Sequence, residues 1–410
     1  MPFCLSLCPY CDFVVYSGAA ARGARSRVEP FLAALAAELR LRAAALDALF
    51  GPPGTAERPP LQTVYLGGGT PSLLPAAAVA ALLELIEDRY GLAAGAEITV
   101  EANPGPADRG DLAGFRAAGV TRLSLGAQSL DAGELRRIGR RHAPADVVDA
   151  AAEARAAGIG SLSLDLLYDL PEQSLASWDR TVEAALELGL DHLSAYALTL
   201  DDPEAEGLAG PSGDHLPVRP GARRWRHAAR PMQDADRAAD MYTLLDTRLA
   251  EAGLAWYELS NWSRPGRQSR HNLAYWRRLP YEAVGPGAHA FDGARRRRWN
   301  AARLDGYLGA LLPPAGTLPS AGAAPLAGAA PALPPGGEET LDDGQALAEQ
   351  AVLGLRLAEG LDPLLAAADA VAPALAWGQA AGLVESRADG RAALTLRGRL
   401  LGDELFSRLV

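Results

Sequence analysis

The chain contains no lysine; all 39 of its basic residues are arginine. A lysine Schiff base to a carbonyl substrate is therefore excluded. Cysteine is almost as scarce, with three in 410 residues. An odd number cannot pair completely, so a disulfide framework is excluded as well. No apolar run approaches the roughly 18 residues that span a bilayer. No basic segment leads into an apolar stretch at the N-terminus, as a secretory signal would require. These absences point to a cytoplasmic protein. Basic charge is in deficit, 39 against 50 acidic residues for a net charge of −11, which argues against nucleic-acid binding by broad phosphate neutralisation. A G-x-G-x-x-G turn is missing after the first strand-like run, which removes the Rossmann reading.

Half of the chain (49%) is hydrophobic, enough over this length for two or three globular domains. From residue 29 to about 260, helical and strand-like stretches alternate. Helices are expected at 29–50, 75–90, 108–117, 145–157 and 175–188, strands at 63–66, 97–102, 122–128, 161–170 and 192–200. Strands about 30 residues apart with helices between them read as repeated βαβ units on a parallel sheet. Their number suits a full or partial barrel. A polar, Pro/Arg-rich insertion at 203–232 interrupts the pattern, which resumes with a helix at 234–252 and a strand at 255–260. The expected organisation is an α/β barrel domain over 1–260, a barrel-closing segment over 261–308, a Pro/Ala/Gly-rich linker over 309–343 and a small winged-helix-like module over 344–410.

All three cysteines fall within eight positions as Cys4-x3-Cys8-x2-Cys11. Chance is one explanation, and zinc held by three cysteines and a histidine is another, although only one pair has the C-x2-C spacing of a zinc knuckle. The third is an iron–sulfur cluster. Three thiolates on a four-iron cube leave one iron open to a small molecule.

Barrel chemistry gathers at the C-terminal ends of strands. Gly67-Gly68-Gly69-Thr70-Pro71 follows the first strand, where glycines let a backbone approach a ligand or simply turn. Glu101 ends the next strand, Gln128 the one after, and Asp165 lies in an apolar run where a carboxylate needs a partner. Singly, such residues are more often just solvated; together they ring one barrel mouth. Arg140 is placed to meet a ligand carboxylate, while Arg136, Arg137 and Arg141 read as a solvated face.

C-x3-C-x2-C with an aromatic, Tyr10, before the last cysteine resembles the signature of the radical SAM superfamily. That resemblance implies a [4Fe–4S] cluster on Cys4, Cys8 and Cys11, S-adenosylmethionine on the open iron, cleavage to a 5′-deoxyadenosyl radical, and a partial (β/α)6 barrel. PFCLSLCPYCDF, YLGGGTPSLL, VEANPG, RLSLGAQSLD, LRRIGRRH, DLLYDLP and RHNLAYW are together similar to the oxygen-independent coproporphyrinogen III oxidase-like family. The similarity covers most of 1–300, and 349–362 looks like that family's C-terminal domain. By motif position it implies cofactor contacts at Tyr10, Gly68, Gly69, Thr70, Glu101, Gln128, Arg140, Asp165 and Ala197.

Two branches of this family differ at single positions. The dehydrogenases carry a further cysteine two residues after the third, where this chain has Phe13. The heme chaperone branch lacks it and carries H-N-x-x-Y-W, matched by His271-Asn272-Leu273-Ala274-Tyr275-Trp276. The resemblance implies heme binding at His271, and imidazole is the commonest axial heme ligand; a hydrogen-bonded structural histidine is the plainer reading. His289 reads as structural. Arg295 to Arg298 read as a solvated turn, with attraction of heme propionates or acidic lipid headgroups as the alternative.

The resulting expectation is a heme chaperone that passes heme to an apo-hemoprotein, at a membrane surface or free, with a homodimer left open and no nucleic-acid partner. The enzyme alternative is oxidative decarboxylation of coproporphyrinogen III by a 5′-deoxyadenosyl radical; a tRNA- or protein-modifying radical enzyme is a third and weaker one. No catalytic residue is assigned. Two departures from the family pattern stand out. Most of the first barrel strand is expected to be missing before Cys4, and Asp169 and Glu172 occupy places where the family favours glycine, which would strain Glu172 if its φ is positive.

Overall fold

The computed structural model describes residues 1–200, 213, 215–312 and 332–410. The chain begins with β1 (Phe3–Cys4), paired in parallel with β2 (Tyr16–Ser17). Helix α1 (Val28–Phe50) follows, rich in Ala, Leu, Glu and Arg, all strong helix formers; it ends at Gly51, whose φ of 75° stops it. The βα repeat then runs β3 (Leu61–Leu66), α2 (Ala76–Tyr90), β4 (Leu92–Ala102), α3 (Leu112–Ala117), β5 (Arg122–Gln128), α4 (Ala132–Arg137), α5 (Pro144–Ala156), β6 (Ser161–Tyr168), α6 (Leu175–Glu187) and β7 (His192–Ala197). After α7 (Pro220–Ala229) and α8 (Ala235–Glu251), the short β8 (Ala255–Glu258) and β9 (Asn261–Ser263) complete a seven-stranded sheet of order β3-β4-β5-β6-β7-β9-β8.

Strands β3 to β7 are parallel and β9 and β8 are antiparallel, so the sheet is an open barrel. The N-terminal residues stand where a preceding strand would: the Met1 amine donates to the Gly67 carbonyl at 2.8 Å, and Gly69 N and Thr70 N donate to the carbonyls of Met1 and Phe3 at 2.7 and 2.8 Å. Phe3 and Cys4 thus form a two-residue strand held against the glycine turn. A side chain at Gly69 would approach the Phe3 carbonyl oxygen to 2.6 Å, which is why glycine is needed there.

Period-2 alternation decides what faces the barrel interior. Along β5, Leu123, Leu125 and Ala127 are fully buried in the main core with Phe115, Val147 and Ala150 of the helices. Arg122, Ser124, Gly126 and Gln128 lie on the other face and line the barrel cavity. The strands therefore carry an apolar outer face and a polar inner one.

Beyond the sheet come α9 (Arg270–Trp276), β10 (His289–Phe291), β11 (Arg296–Asn300) and α10 (Leu304–Leu311). The linker expected over 309–343 lies outside the described residues at 313–331. The rest corrects that expectation, because α10 runs to Leu311 and β12 (Gly336–Thr340) forms a three-stranded sheet with β10 and β11. Arg295–Arg298 are also not a solvated turn. Three of them sit on β11, and Arg295, Arg296, Arg297 and Arg298 pair with Asp343, Glu338, Glu339 and Glu282. Their charge is spent on these carboxylates, and the lipid or propionate reading loses its basis. The boundary expected at 260/261 falls inside the β8–β9 hairpin.

The C-terminal module comprises α11 (Asp343–Arg356), α12 (Pro363–Ala366), α13 (Ala372–Ala380), the hairpin β13 (Val384–Ser386) and β14 (Ala392–Leu394), α14 (Leu396–Leu400) and α15 (Gly402–Phe406). It has its own core around Leu355, Leu375, Leu383 and Leu405. Arg399 ties it to the barrel, bonding Asp246 at 2.6 and 2.8 Å. Among the described residues no helix is long and apolar enough to cross a membrane.

Candidate functional site

The mouth of the barrel opens into a cavity of about 840 Å³. Every residue that the resemblance assigned to the cluster, to S-adenosylmethionine or to heme lines it: Cys4, Cys8 and Cys11; Tyr10, Gly68, Gly69 and Thr70; Glu101, Gln128 and Arg140; Asp165, Ala197 and His271.

The cysteine loop is stitched to the strand ends. Thr70 Oγ1 donates to Cys4 Sγ at 3.2 Å, and Arg140 Nη1 stands 3.7 Å from Cys8 Sγ. Asn103 joins the two, donating from Nδ2 to Thr70 Oγ1 at 3.1 Å and accepting from Arg140 Nη2 at 2.6 Å. Asp108 accepts a second Asn103 Nδ2 bond at 3.0 Å. From the opposite side Arg226 of α7, fully buried, donates to the carbonyls of Pro9 at 3.0 Å and Cys11 at 3.2 Å and pairs with Asp12. The insertion thus clamps the thiol loop.

All three thiols are free and half-buried. Burial pushes Cys11 up to about 12 and raises Cys4 against the opposing hydrogen bond from Thr70. Without metal both stay protonated, so loading a metal must displace protons. The site fits a cluster better than a single ion. Among the described residues no three His, Cys, Asp or Glu side chains converge to hold one metal ion, which removes the geometric support for zinc. Thiolates of an iron–sulfur cube bind different irons and need not converge. Arg140 and Thr70 supply donors to sulfur, the kind of contact that stabilises cluster thiolates.

Deeper in, Glu101 accepts from Tyr65 OH at 2.6 Å and from Gly68 N at 2.9 Å. Asp165 accepts from Ser124 Oγ at 3.0 Å on both oxygens. Both carboxyls line the cavity, and burial raises each above the usual carboxylate range. Carboxyls flanking a glycine-rich turn suit the hydroxyls and amino group of a nucleoside-type cofactor such as S-adenosylmethionine, where each added hydrogen bond relieves their burial. Gln128 holds a φ of 69°, Asp169 of 56° and Glu172 of 60°. The strain expected at Glu172 is therefore real, and its carboxylate is pinned outward by Arg137 at 2.9 Å.

His271 lies at the far end of the cavity. Its Nδ1 is 2.8 Å from Thr63 Oγ1 and its Nε2 2.8 Å from Tyr275 OH, and its ring stacks on Tyr65 at 5.0 Å. Burial lowers it to about 4, leaving a neutral imidazole. It is fully hydrogen-bonded here, as the plainer reading expected, yet it faces the same cavity as the thiols. His289 stacks on Trp299 at 6.0 Å and lies outside that cavity.

Sequence reasoning passed over Tyr65, Asn103, Asp108, Arg122 and Arg226. Tyr65 and Asn103 carried a signal: each shares the inward face of its strand by period 2, Asn103 two residues beyond Glu101. Arg226 carried none, because its partners lie more than 200 residues away in sequence.

A partial parallel barrel whose mouth gathers three thiols beside a glycine turn and inward carboxyls defines the class, a cluster-bearing α/β barrel. Residues 1–185 match the family model described as the radical SAM superfamily. Over its whole length the chain is 40% identical to the heme chaperone HemW of Mycobacterium tuberculosis, of which it covers 93%. It is 36% identical over 289 residues to the heme chaperone HemW of Escherichia coli, a match spanning 70% of this chain and 68% of the relative. In fold it is similar to the solved coproporphyrinogen III oxidase HemN of Escherichia coli, a radical SAM enzyme, with a TM-score of 0.72, 20% identity and coverage of 100% of this chain and 88% of that one. The chain belongs to the radical SAM superfamily and, within it, to the family of the heme chaperone HemW.

Proposed function

We propose that the protein is a heme chaperone of the cytoplasm: it holds heme in the barrel cavity and passes it to an apo-hemoprotein. Cys4, Cys8 and Cys11 hold a [4Fe–4S] cluster, and Gly68, Glu101, Gln128, Asp165 and the neighbouring backbone hold S-adenosylmethionine beside it. When bound, the cluster supplies an electron donor with one open coordination site. Tyr10, packed beside Trp225 at 6.5 Å, closes one wall, and Arg140 balances charge at Cys8.

The observation that carries the reading is the continuity of one cavity from the three thiols to His271. A neutral imidazole presents a lone pair to heme iron once Tyr275 OH gives up Nε2. Tyr275 is 38% exposed. Phe13 supports the chaperone over the dehydrogenase: it stands where the dehydrogenase branch has a further thiol, it lines the cavity and it is 65% exposed. The similar proteins of Mycobacterium tuberculosis and Escherichia coli are named heme chaperones, which supports the same reading.

The test supplies anaerobically reconstituted protein with coproporphyrinogen III, reductant and S-adenosylmethionine. The reading expects no protoporphyrinogen. Turnover would replace it with the dehydrogenase reading.

A further inference from the structure

Among the described residues five arginines are buried, and four have partners: Arg58 pairs with Asp47 and Arg109 with Glu153. Arg42 is bonded to Glu38 and Asn300, and Arg226 to Asp12 and two carbonyls. The fifth, Arg122, opens β5. It is 4% exposed and lines the barrel cavity. Its Nε has no hydrogen-bond partner, and among the described residues no carboxylate stands within ion-pair distance of its guanidinium. The neighbouring acids are engaged elsewhere. Asp165 is held by Ser124 and feels the Arg122 charge only from beyond ion-pair distance, and Glu97 accepts from His271 N and Arg270 N, both at 3.0 Å. Around Arg122 the other polar groups are neutral: His192 is bonded through Nδ1 to Ser163 and through Nε2 to Tyr257 OH, both at 2.8 Å.

A buried guanidinium without a direct ion-pair partner is costly and is kept where it receives an anion. Its planar fork of donors matches a carboxylate. Arg122 and His271 face the same cavity, and the charge of Arg122 is felt at His271. A flat ligand whose metal meets His271 would bring a peripheral carboxylate toward the guanidinium.

We propose that Arg122 is the carboxylate anchor of the cavity and takes one propionate of the heme cargo. This rests on the heme-chaperone reading. Binding of heme at His271 would then be completed by one charge-assisted contact at Arg122, and cargo lacking a free carboxylate would be held less tightly.

The experiment titrates the reconstituted protein with hemin and with its dimethyl ester, following the Soret band, for the wild type, Arg122→Met and Arg122→Lys. S-adenosylmethionine affinity is measured on the same samples. Wild type should prefer hemin by about 10- to 100-fold, the range for a charged hydrogen-bonded pair. Arg122→Met should erase the preference by weakening hemin alone. Arg122→Lys, which keeps the charge and guards against misfolding, should retain part of it. Equal binding of both ligands by wild type, or a preference that survives in Arg122→Met, overturns the anchor while leaving heme binding intact. Loss of S-adenosylmethionine affinity in Arg122→Met with the hemin preference unchanged assigns Arg122 to the other carboxylate and also overturns it. Failure of wild type to bind either porphyrin overturns the chaperone reading and the anchor with it.

Discussion

Two buried arginines of this molecule stand in opposite conditions. On the flank of the barrel, Arg42 donates from Nε to Glu38 at 2.7 Å and from Nη2 to Asn300 at 2.9 Å. Glu38, itself fully buried, also accepts from Asn300 at 2.8 Å, Tyr307 at 2.7 Å and Gly285 N at 2.8 Å. This network fastens the 285–307 segment to α1, and every member is satisfied. In the cavity, Arg122 is equally buried, and among the described residues it forms no ion pair or carbonyl hydrogen bond; Asp165 feels its charge only from beyond ion-pair distance. The same side chain serves structure in one place, where its partners are built in, and recognition in the other, where the partner must arrive.

Removing the thiols tests the mouth of the same cavity and has the largest expected effect. Replacing Cys4, Cys8 and Cys11 with Ala should reduce reconstituted iron from about four per chain to background, read by iron and sulfide assay. Two or fewer irons in the wild type would contradict the cluster assignment. Next in size is the flank. Glu38→Ala leaves Arg42 buried and unpaired and should cost about 3–5 kcal/mol, read by denaturant unfolding. Arg122→Met removes a cation that lacks a partner and should leave stability unchanged or raised; an equal loss in the two variants would erase the contrast between the regions.

The histidines give a smaller, pH-dependent difference. Burial lowers His271 and His142 to about 4 from the ordinary 6.5. Between those values the unfolded chain binds more protons, so stability falls as pH drops from about 6.5 towards 4. Each histidine adds a slope of at most about 1.4 kcal/mol per pH unit, and His271→Ala should remove one such contribution in unfolding measured across that range. Smallest is Tyr275→Phe. It frees His271 Nε2 without changing the cavity walls and should tighten hemin binding by a few-fold, about the worth of one neutral hydrogen bond. An unchanged titration would show that Nε2 is not the atom that heme meets.

The barrel was legible because its signals are local. The residues 122–128 read as a strand from period-2 alternation, and β5 has those bounds. The cysteine loop, the glycine turn and Glu101 sit at strand ends and Asp165 on the inward face of β6, where motif position and topology agree, and all face one cavity. What was not legible depends on partners distant in sequence. Arg295–Arg298 looked like an open basic surface until β12 brought Glu338 and Glu339 beside them. Arg226 was one arginine among many in a polar insertion, and only the fold puts it under Cys11. Arg122 looked like the ordinary start of a strand. Its significance lies in what is not beside it, which spacing along a chain cannot express.

The central claim is that this cavity carries heme for another protein. Reconstituted protein loaded with hemin and mixed with an excess of an apo-hemoprotein tests it most directly, with the Soret band of each partner followed after separation. The account predicts heme in the acceptor, a rate that falls in His271→Ala, and no protoporphyrinogen when coproporphyrinogen III is supplied to the same sample. Heme that stays on the chain, or coproporphyrinogen III that is consumed, would contradict it.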